Sequence, residues 1–360
     1  MLTTSGNHLL TVQFLRCVAA ALVVAQHAAL ELRARSGQGD LLSYWHEFGG
    51  VGVDIFFVIS GLVMYLSTRR RPAPADAVAT ASMFFRRRLI RIVPMYWFYT
   101  LSKAAIVLTI GSRAFAEGLP FLYLLGSLLF YPMVSPASGE LLPLVESGWT
   151  LSFEMLFYAV LAGVIALRLP RLKTATVILG LLFIVAHAWG AGVLAQFFGR
   201  SVLFEFLLGM AVARVWMQFR QPPVWVPAVL IAVAVFALFV HRLQVDRFIA
   251  LGVPSAMLVL GLAWMERFEW VRRQAGRLAL LGDASYSTYL AHGFIMPAVV
   301  IVGLKWMPHA YGLICLAAVL TATAVGCLSY LLLEKPLTRR LMGRFGGARA
   351  VASGENAAPV

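Results

Sequence analysis

Long apolar runs recur along the chain, separated by short polar stretches rich in Arg and Lys. Runs near 9–30, 51–67, 90–110, 149–167, 174–192, 199–217, 223–240, 247–265, 285–304 and 310–333 each approach the length that a helix needs to cross ~30 Å of hydrocarbon. They predict an all-α, polytopic membrane bundle of about ten transmembrane helices. A further apolar run, 119–134, is short and bracketed by Pro120 and Pro132. Whether it crosses decides the orientation of everything after it. If it does not cross and the N-terminus is cytoplasmic, the inner loops hold 21 Lys and Arg against seven outside. If it crosses, the inner loops hold 11 against 17. The positive-inside rule selects the first arrangement. The expectation is therefore both termini cytoplasmic, with 119–134 a re-entrant or interfacial segment on the outer side. Such a segment needs protein or water to satisfy its backbone.

Composition excludes a soluble alternative. Hydrophobic residues make up 61% of the 360 residues and charged residues 13%, where soluble domains carry about 25% charged. A single soluble core cannot hide that much apolar surface. The net charge of +14 would suggest nucleic acid in a soluble protein. Here the basic residues sit in short loops, where they set topology and meet anionic lipid head groups, so membrane lipid and no nucleic acid is the expected partner. Cys17, Cys315 and Cys327 all lie inside apolar runs, so neither a disulfide framework nor a metal cluster is expected. The start, MLTTSGNHLL, lacks a basic leader and a small-residue cleavage site, so no removable signal peptide is expected. Residues 1–341 read as one membrane domain and 342–360, rich in Gly and Ala, as a disordered cytoplasmic tail.

Charged residues inside the spans are expensive and mark candidate chemistry. Arg16 and His27 are eleven residues apart, which returns them to one helix face about 16 Å apart along the axis. Arg16 falls in the inner half and His27 near the outer end. A snorkelling arginine and an interfacial histidine would fit the same spacing. Asp54 opens the second span after Gly49, Gly50 and Gly52, at a depth similar to His27. A helix N-cap accounts for it equally well, and the glycines permit close backbone approach. Glu154 follows Trp149 in the fourth span, and Glu205 lies at similar depth in the sixth. Each carboxylate alone can be a structural partner to a buried cation. At the inner end, Arg86, Arg87, Arg88 and Arg91 lead into Pro94. Arg88 and Arg91 share a face and suit either phosphate binding or anchoring at anionic lipid. The segment 282–292, GDASYSTYLAH, brings Tyr286, other hydroxyls and His292 into the ninth span, to line a wet pocket or to bond across helices.

Taken in order, these segments resemble the acyltransferase-3 family of membrane O-acyltransferases over about residues 8–340. The Arg16–His27 pair is similar to the family's Arg-x10-His. GGVGVDIFFVISG (49–61), Arg88-Leu89-Ile90-Arg91 with Val93-Pro94, GWTLSFEMLFY (148–158) and GDASYSTYLAH (282–292) resemble its other motifs. The WTLSFEMLFY variant is most similar to the exopolysaccharide acetyltransferases. Many members carry an SGNH-hydrolase domain after the last helices, and none is expected here, so an acyl relay through a fused esterase is not expected in cis.

The resemblance implies transfer of an acyl group, usually acetyl, from acyl-CoA (acetyl-CoA) to a carbohydrate hydroxyl, on a polysaccharide or a lipid-linked glycan, in the bacterial inner membrane. It implies catalytic roles for His27, Glu154, Asp54 and Arg16. His27 would be the general base or, as an alternative, a transient acceptor of the acyl group, Glu154 or Asp54 would orient it, and Arg16 would hold the donor or its thioester oxygen. Arg88, Arg91, Arg87, Tyr286 and His292 would hold the donor, and no metal is implied. Two other classes remain in view. One is a proton-coupled transporter or flippase using the same intramembrane groups as a relay, although no pair of related halves is visible. The other is a non-catalytic glycan- or lipid-binding scaffold.

Overall fold

Each predicted apolar run is a helix in the structure, a computed structural model that describes residues 9–37, 50–69, 72–111, 115, 118–219, 221–240 and 245–346. In chain order the helices are α1 (Leu10–Ser36), α2 (Val51–Ser67), α3 (Ala77–Ile110), α4 (Phe121–Leu128), α5 (Trp149–Ala166), α6 (Arg171–Trp189), α7 (Val193–Phe198), α8 (Glu205–Gln218), α9 (Trp225–Val240), α10 (Val253–Met265), α11 (Glu269–Arg277), α12 (Ala279–Asp283), α13 (Ser285–Trp306), α14 (Tyr311–Ser329) and α15 (Lys335–Phe345). A 3₁₀ turn, Ser201–Phe204, precedes α8. Wide π turns join Phe248–Gly252 to α10 and Tyr330–Glu334 to α15. With these extensions, eight helical stretches among the described residues are long and apolar enough to cross a membrane. The apolar helices α2 and α9 are shorter, 17 and 16 residues. Among the described residues there is no strand, only an isolated bridge between Val134 and Leu141. The protein is an all-α polytopic membrane bundle.

Several helices outrun their apolar windows. α1 continues to Ser36, where Gly37 takes a left-handed conformation (φ 69°) and its N–H caps the carbonyl of Arg33. α3 begins at Ala77 and carries its whole arginine cluster inside one continuous helix. A helix leaving the hydrocarbon keeps its backbone bonds, and long basic side chains reach polar surroundings from it. Hydropathy sees only the apolar part. The expected tail of 342–360 begins inside α15, and from 347 onward it lies outside the described residues.

The segment 119–134 does not cross. α4 has eight residues, about 12 Å of helix. The chain then turns back on itself. Tyr96 Oη donates to the carbonyl of Ser127 (3.0 Å) and Trp97 Nε1 to that of Leu128 (2.8 Å). Tyr123 Oη donates to the carbonyl of Leu142 and the Leu144 N–H to Ser127 Oγ. Side chains of α3 and of the segment itself thus supply the partners that water would otherwise provide.

Small residues bring the central helices together, as is usual where lipid removes the hydrophobic driving force between helices. A Cβ on Gly52 would strike the carbonyl of Ala19, and one on Gly61 that of Phe206. One on Gly209 would meet Val58, so α2 and α8 interlock backbone to backbone. α1 and α13 run parallel: Gly282, just before α13, packs on the backbone of Gln13, while further along His27 meets His292. The Glu266 carboxylate accepts hydrogen bonds from the Leu10 and Thr11 N–H groups (2.8 and 3.0 Å), placing an anion at the positive end of α1.

Candidate active site

The helices α1, α2, α3, α5 and α13 line a common cavity. Its lining holds three arginines, Arg16, Arg88 and Arg91, and one carboxylate, Glu154. Arg88 and Arg91 project from one face of α3, as i, i+3 spacing requires. Arg88 Nη2 donates to Ser67 Oγ (3.2 Å), and its guanidinium lies 5.6 Å from the centre of the Phe84 ring. Glu154 accepts hydrogen bonds from Ser60 Oγ (3.1 Å) and from Tyr158 Oη. Behind the lining, Glu334 accepts from Ser287 Oγ (2.6 Å) and, with Asp283, lies within electrostatic reach of Arg16. The lining itself keeps a surplus of positive charge. That surplus suits an anionic ligand.

From the arginines the cavity runs along an apolar wall that includes Val53, Phe56, Ile59, Val63 and Leu151. Tyr286 lines it while its Oη donates to the carbonyl of Ile92 (2.8 Å). Ser285 Oγ also faces this region, buried and without a hydrogen-bond partner among the described residues. The lining ends at Tyr289, whose Oη lies 2.8 Å from both the carbonyl of Ser147 and Thr150 Oγ1. The His292 ring is 5.9 Å from Tyr289, centre to centre, and His27 is 4.9 Å further, edge to face. The Nδ1 of His292 is buried with no hydrogen-bond partner among the described residues.

The tertiary fold thus brings together Arg16, Arg88, Arg91, Glu154 and Tyr286 around one cavity, and His27 with His292 just past its far end. Two other candidates point elsewhere. Asp54 lies within the first turn of α2, whose cap position belongs to Gly50. Its fully buried carboxylate is gripped by Arg247, Nη2 to Oδ2 at 2.7 Å and Nε to Oδ1 at 3.2 Å. Glu205 stands beside that pair, fully buried. Arg87 turns toward the end of α15, where its Nε donates to the carbonyl of Gly346 (3.1 Å). Sequence reasoning overlooked Ser60, Tyr158, Glu334 and Arg247. Tyr158 is four residues after Glu154 and so on the same helical face, a signal that was available. Arg247 and Glu334 belong to none of the motifs and become visible only through the contacts they make.

The acyltransferase-3 family model, an acyltransferase domain, matches residues 10–330. The chain is 39% identical over 323 residues to the exopolysaccharide production protein ExoZ of Rhizobium meliloti (strain 1021), covering 86% of this chain and 95% of that one. It is 25% identical over 364 residues to acyltransferase MdmB of Streptomyces mycarofaciens, covering 92% and 91%. No solved structure matches the chain. With a family match that spans nearly the whole helical bundle and takes in every residue lining the cavity, the chain belongs to the acyltransferase-3 family and is an integral membrane acyltransferase.

Proposed function

We propose that the protein transfers an acetyl group from cytosolic acetyl-CoA to a hydroxyl of an exported or cell-surface carbohydrate. The observation that carries this reading is the cavity itself, with arginines at one end and a histidine pair just past the other. The cavity's residues suit the donor. Arg16, Arg88 and Arg91 offer donors to phosphate oxygens. The apolar wall from Met64 to Val53 suits a slender pantetheine arm, and the Ser285 hydroxyl, which has no hydrogen-bond partner among the described residues, suits its amides. The exopolysaccharide role in the name of ExoZ supports a carbohydrate acceptor. The distribution of basic residues supports a bacterial inner membrane topology with both termini, and the arginine end, in the cytoplasm.

In this mechanism the acceptor hydroxyl arrives from the outer side and the thioester from the inner side. His27 removes the hydroxyl proton as the oxygen attacks the thioester carbon. The C–S bond then breaks, and the CoA sulfur leaves with the proton returned from the imidazolium. His292 stands against His27 and holds its ring. Glu154, bonded to Ser60 and Tyr158, holds the arginine end in place, and Arg16 faces the donor. Asp54, paired with Arg247, braces the outer end of α2.

The test is donor binding followed by transfer. The purified protein should be stabilised by CoA in a thermal shift, through linkage, and should move label from acetyl-CoA to de-O-acetylated oligosaccharides made from the host's surface polysaccharide. A protein that neither responds to CoA nor transfers label would overturn acetyl-CoA as the donor.

A further inference from the structure

We infer that Tyr158 and Ser60 are positioning residues for the donor: together they hold the Glu154 carboxylate off Arg16 and Arg88 and so keep those cations open to a polyanion. The inference rests on the reading above that the cavity takes CoA.

A carboxylate that shares a cavity with three guanidiniums would ordinarily pair with one of them. Glu154 does not pair with Arg16 or Arg88. Both lie within its electrostatic reach, yet among the described residues its carboxylate bonds only to two hydroxyls. Ser60 Oγ and Tyr158 Oη donate to the same oxygen, Oε1. Each hydroxyl has one proton to give, and both protons are spent here. The donors come from different helices: Ser60 stands on α2, and Tyr158 follows Glu154 by about one turn on α5. The carboxylate is therefore fixed between two helices and is not free to turn.

The tyrosine is itself held. It is buried, and its ring meets Phe84 edge to face at 6.3 Å. The Arg88 guanidinium lies over the same Phe84 ring, 5.6 Å from its centre. One aromatic support thus carries both the group that restrains the anion and a cation left for the ligand. Arg88 gives one N–H to Ser67 Oγ, of the five that a guanidinium carries. A pairing with Glu154 would take up the planar fork that suits phosphate. Two neutral donors avoid this. They meet the carboxylate's need for hydrogen bonds and add no charge of their own. Glu154 then offsets the cations of the lining without covering Arg16 or Arg88.

The experiment measures the Kd of CoA by thermal-shift titration of full-length protein in detergent, so it needs no turnover. Tyr158→Phe removes the hydroxyl and keeps the ring on Phe84. Released on that side, Glu154 should turn to a guanidinium, and the Kd should rise about tenfold, the scale of one charge-assisted contact. Ser60→Ala should raise it in the same direction. The deciding comparison is made in Glu154→Gln, whose neutral amide forms no ion pair. In that background, adding Tyr158→Phe or Ser60→Ala should leave the Kd unchanged. An equal rise in both backgrounds would mean that the hydroxyls act on packing or on the ligand directly, and it overturns the inference. So does a wild-type Kd in both single variants. If Tyr158→Phe fails to fold, the two measurements with Ser60→Ala decide alone. A wild type that binds no CoA overturns the donor reading itself, and this inference with it.

Discussion

His27 and His292, 265 residues apart in sequence, meet edge to face with ring centres 4.9 Å apart. They do so because α1 and α13 lie parallel and in close register, the backbone at Gly282 touching Gln13 at one end of the contact. His292 in turn stands 5.9 Å from Tyr289, the last ring of the cavity lining. A chain of three side chains thus leads from the end of the cavity to the half-buried His27.

If His27 is the base, His27→Ala should lower kcat by about 10²–10⁴-fold, the usual worth of a positioned general base. The CoA thermal shift should persist, since the arginine end is untouched. Single-turnover transfer of labelled acetyl checks this. Transfer near the wild-type rate would remove His27 from the chemistry.

If His292 holds the His27 ring through their edge-to-face contact, His292→Ala should remove that contact. The expected result is a severalfold drop in kcat, the scale of the ~0.5–1.5 kcal/mol of an aromatic pair, with donor KM unchanged. That split separates positioning from binding. A raised donor KM with unchanged kcat would return His292 to the donor site that the family resemblance suggested.

Arg88→Ala and Arg91→Ala should each raise the donor KM about tenfold or more, because charge-assisted bonds to phosphate are worth ~1.5–3 kcal/mol. Acceptor KM should not move. Arg87→Ala, whose side chain bonds Gly346 instead, is the internal control and should leave donor KM alone. Equal effects at all three positions would mean that the cluster anchors lipid.

The interlock of α2 and α8 predicts a stability effect without chemistry. Gly61→Ala would push a methyl into the Phe206 carbonyl, an overpacking that costs about 1–3 kcal/mol. Gly180→Ala in α6, with open space around it, should be neutral or slightly stabilising through helix propensity. Detergent melting curves compare the two. A Gly61→Ala protein as stable as wild type would contradict the close approach.

Removing Arg247 should be costly. Arg247→Met leaves the fully buried Asp54 without its cation and beside Glu205. A broken buried pair costs about 3–5 kcal/mol, and the low end applies because Arg247 itself is 39% exposed. Adding Asp54→Leu to Arg247→Met should recover most of the lost melting temperature. A double variant no better than the single one would show that the pair was not what mattered.

The spans, the non-crossing segment 119–134 and the stations of charge along each helix were readable from the chain alone. These are local properties: hydropathy over a membrane's thickness, the flanking basic residues, and the 3.6-residue period that puts Arg16 and His27 on one face. Depth was therefore legible, and so was the resemblance carried by the motifs. The direction in which each side chain points was not. Asp54 shares its depth with His27 yet turns to Arg247, and Arg87 sits next to Arg88 yet turns to Gly346. Azimuth is decided by which helices adjoin, and here glycine contacts such as Gly61 on Phe206 and Gly282 on Gln13 choose the neighbours and their rotation. Only that tertiary choice gathers Arg16, Arg88, Arg91 and Glu154 around one cavity and sets His292 against His27, because a helix's sequence prescribes its own faces but not what each face meets.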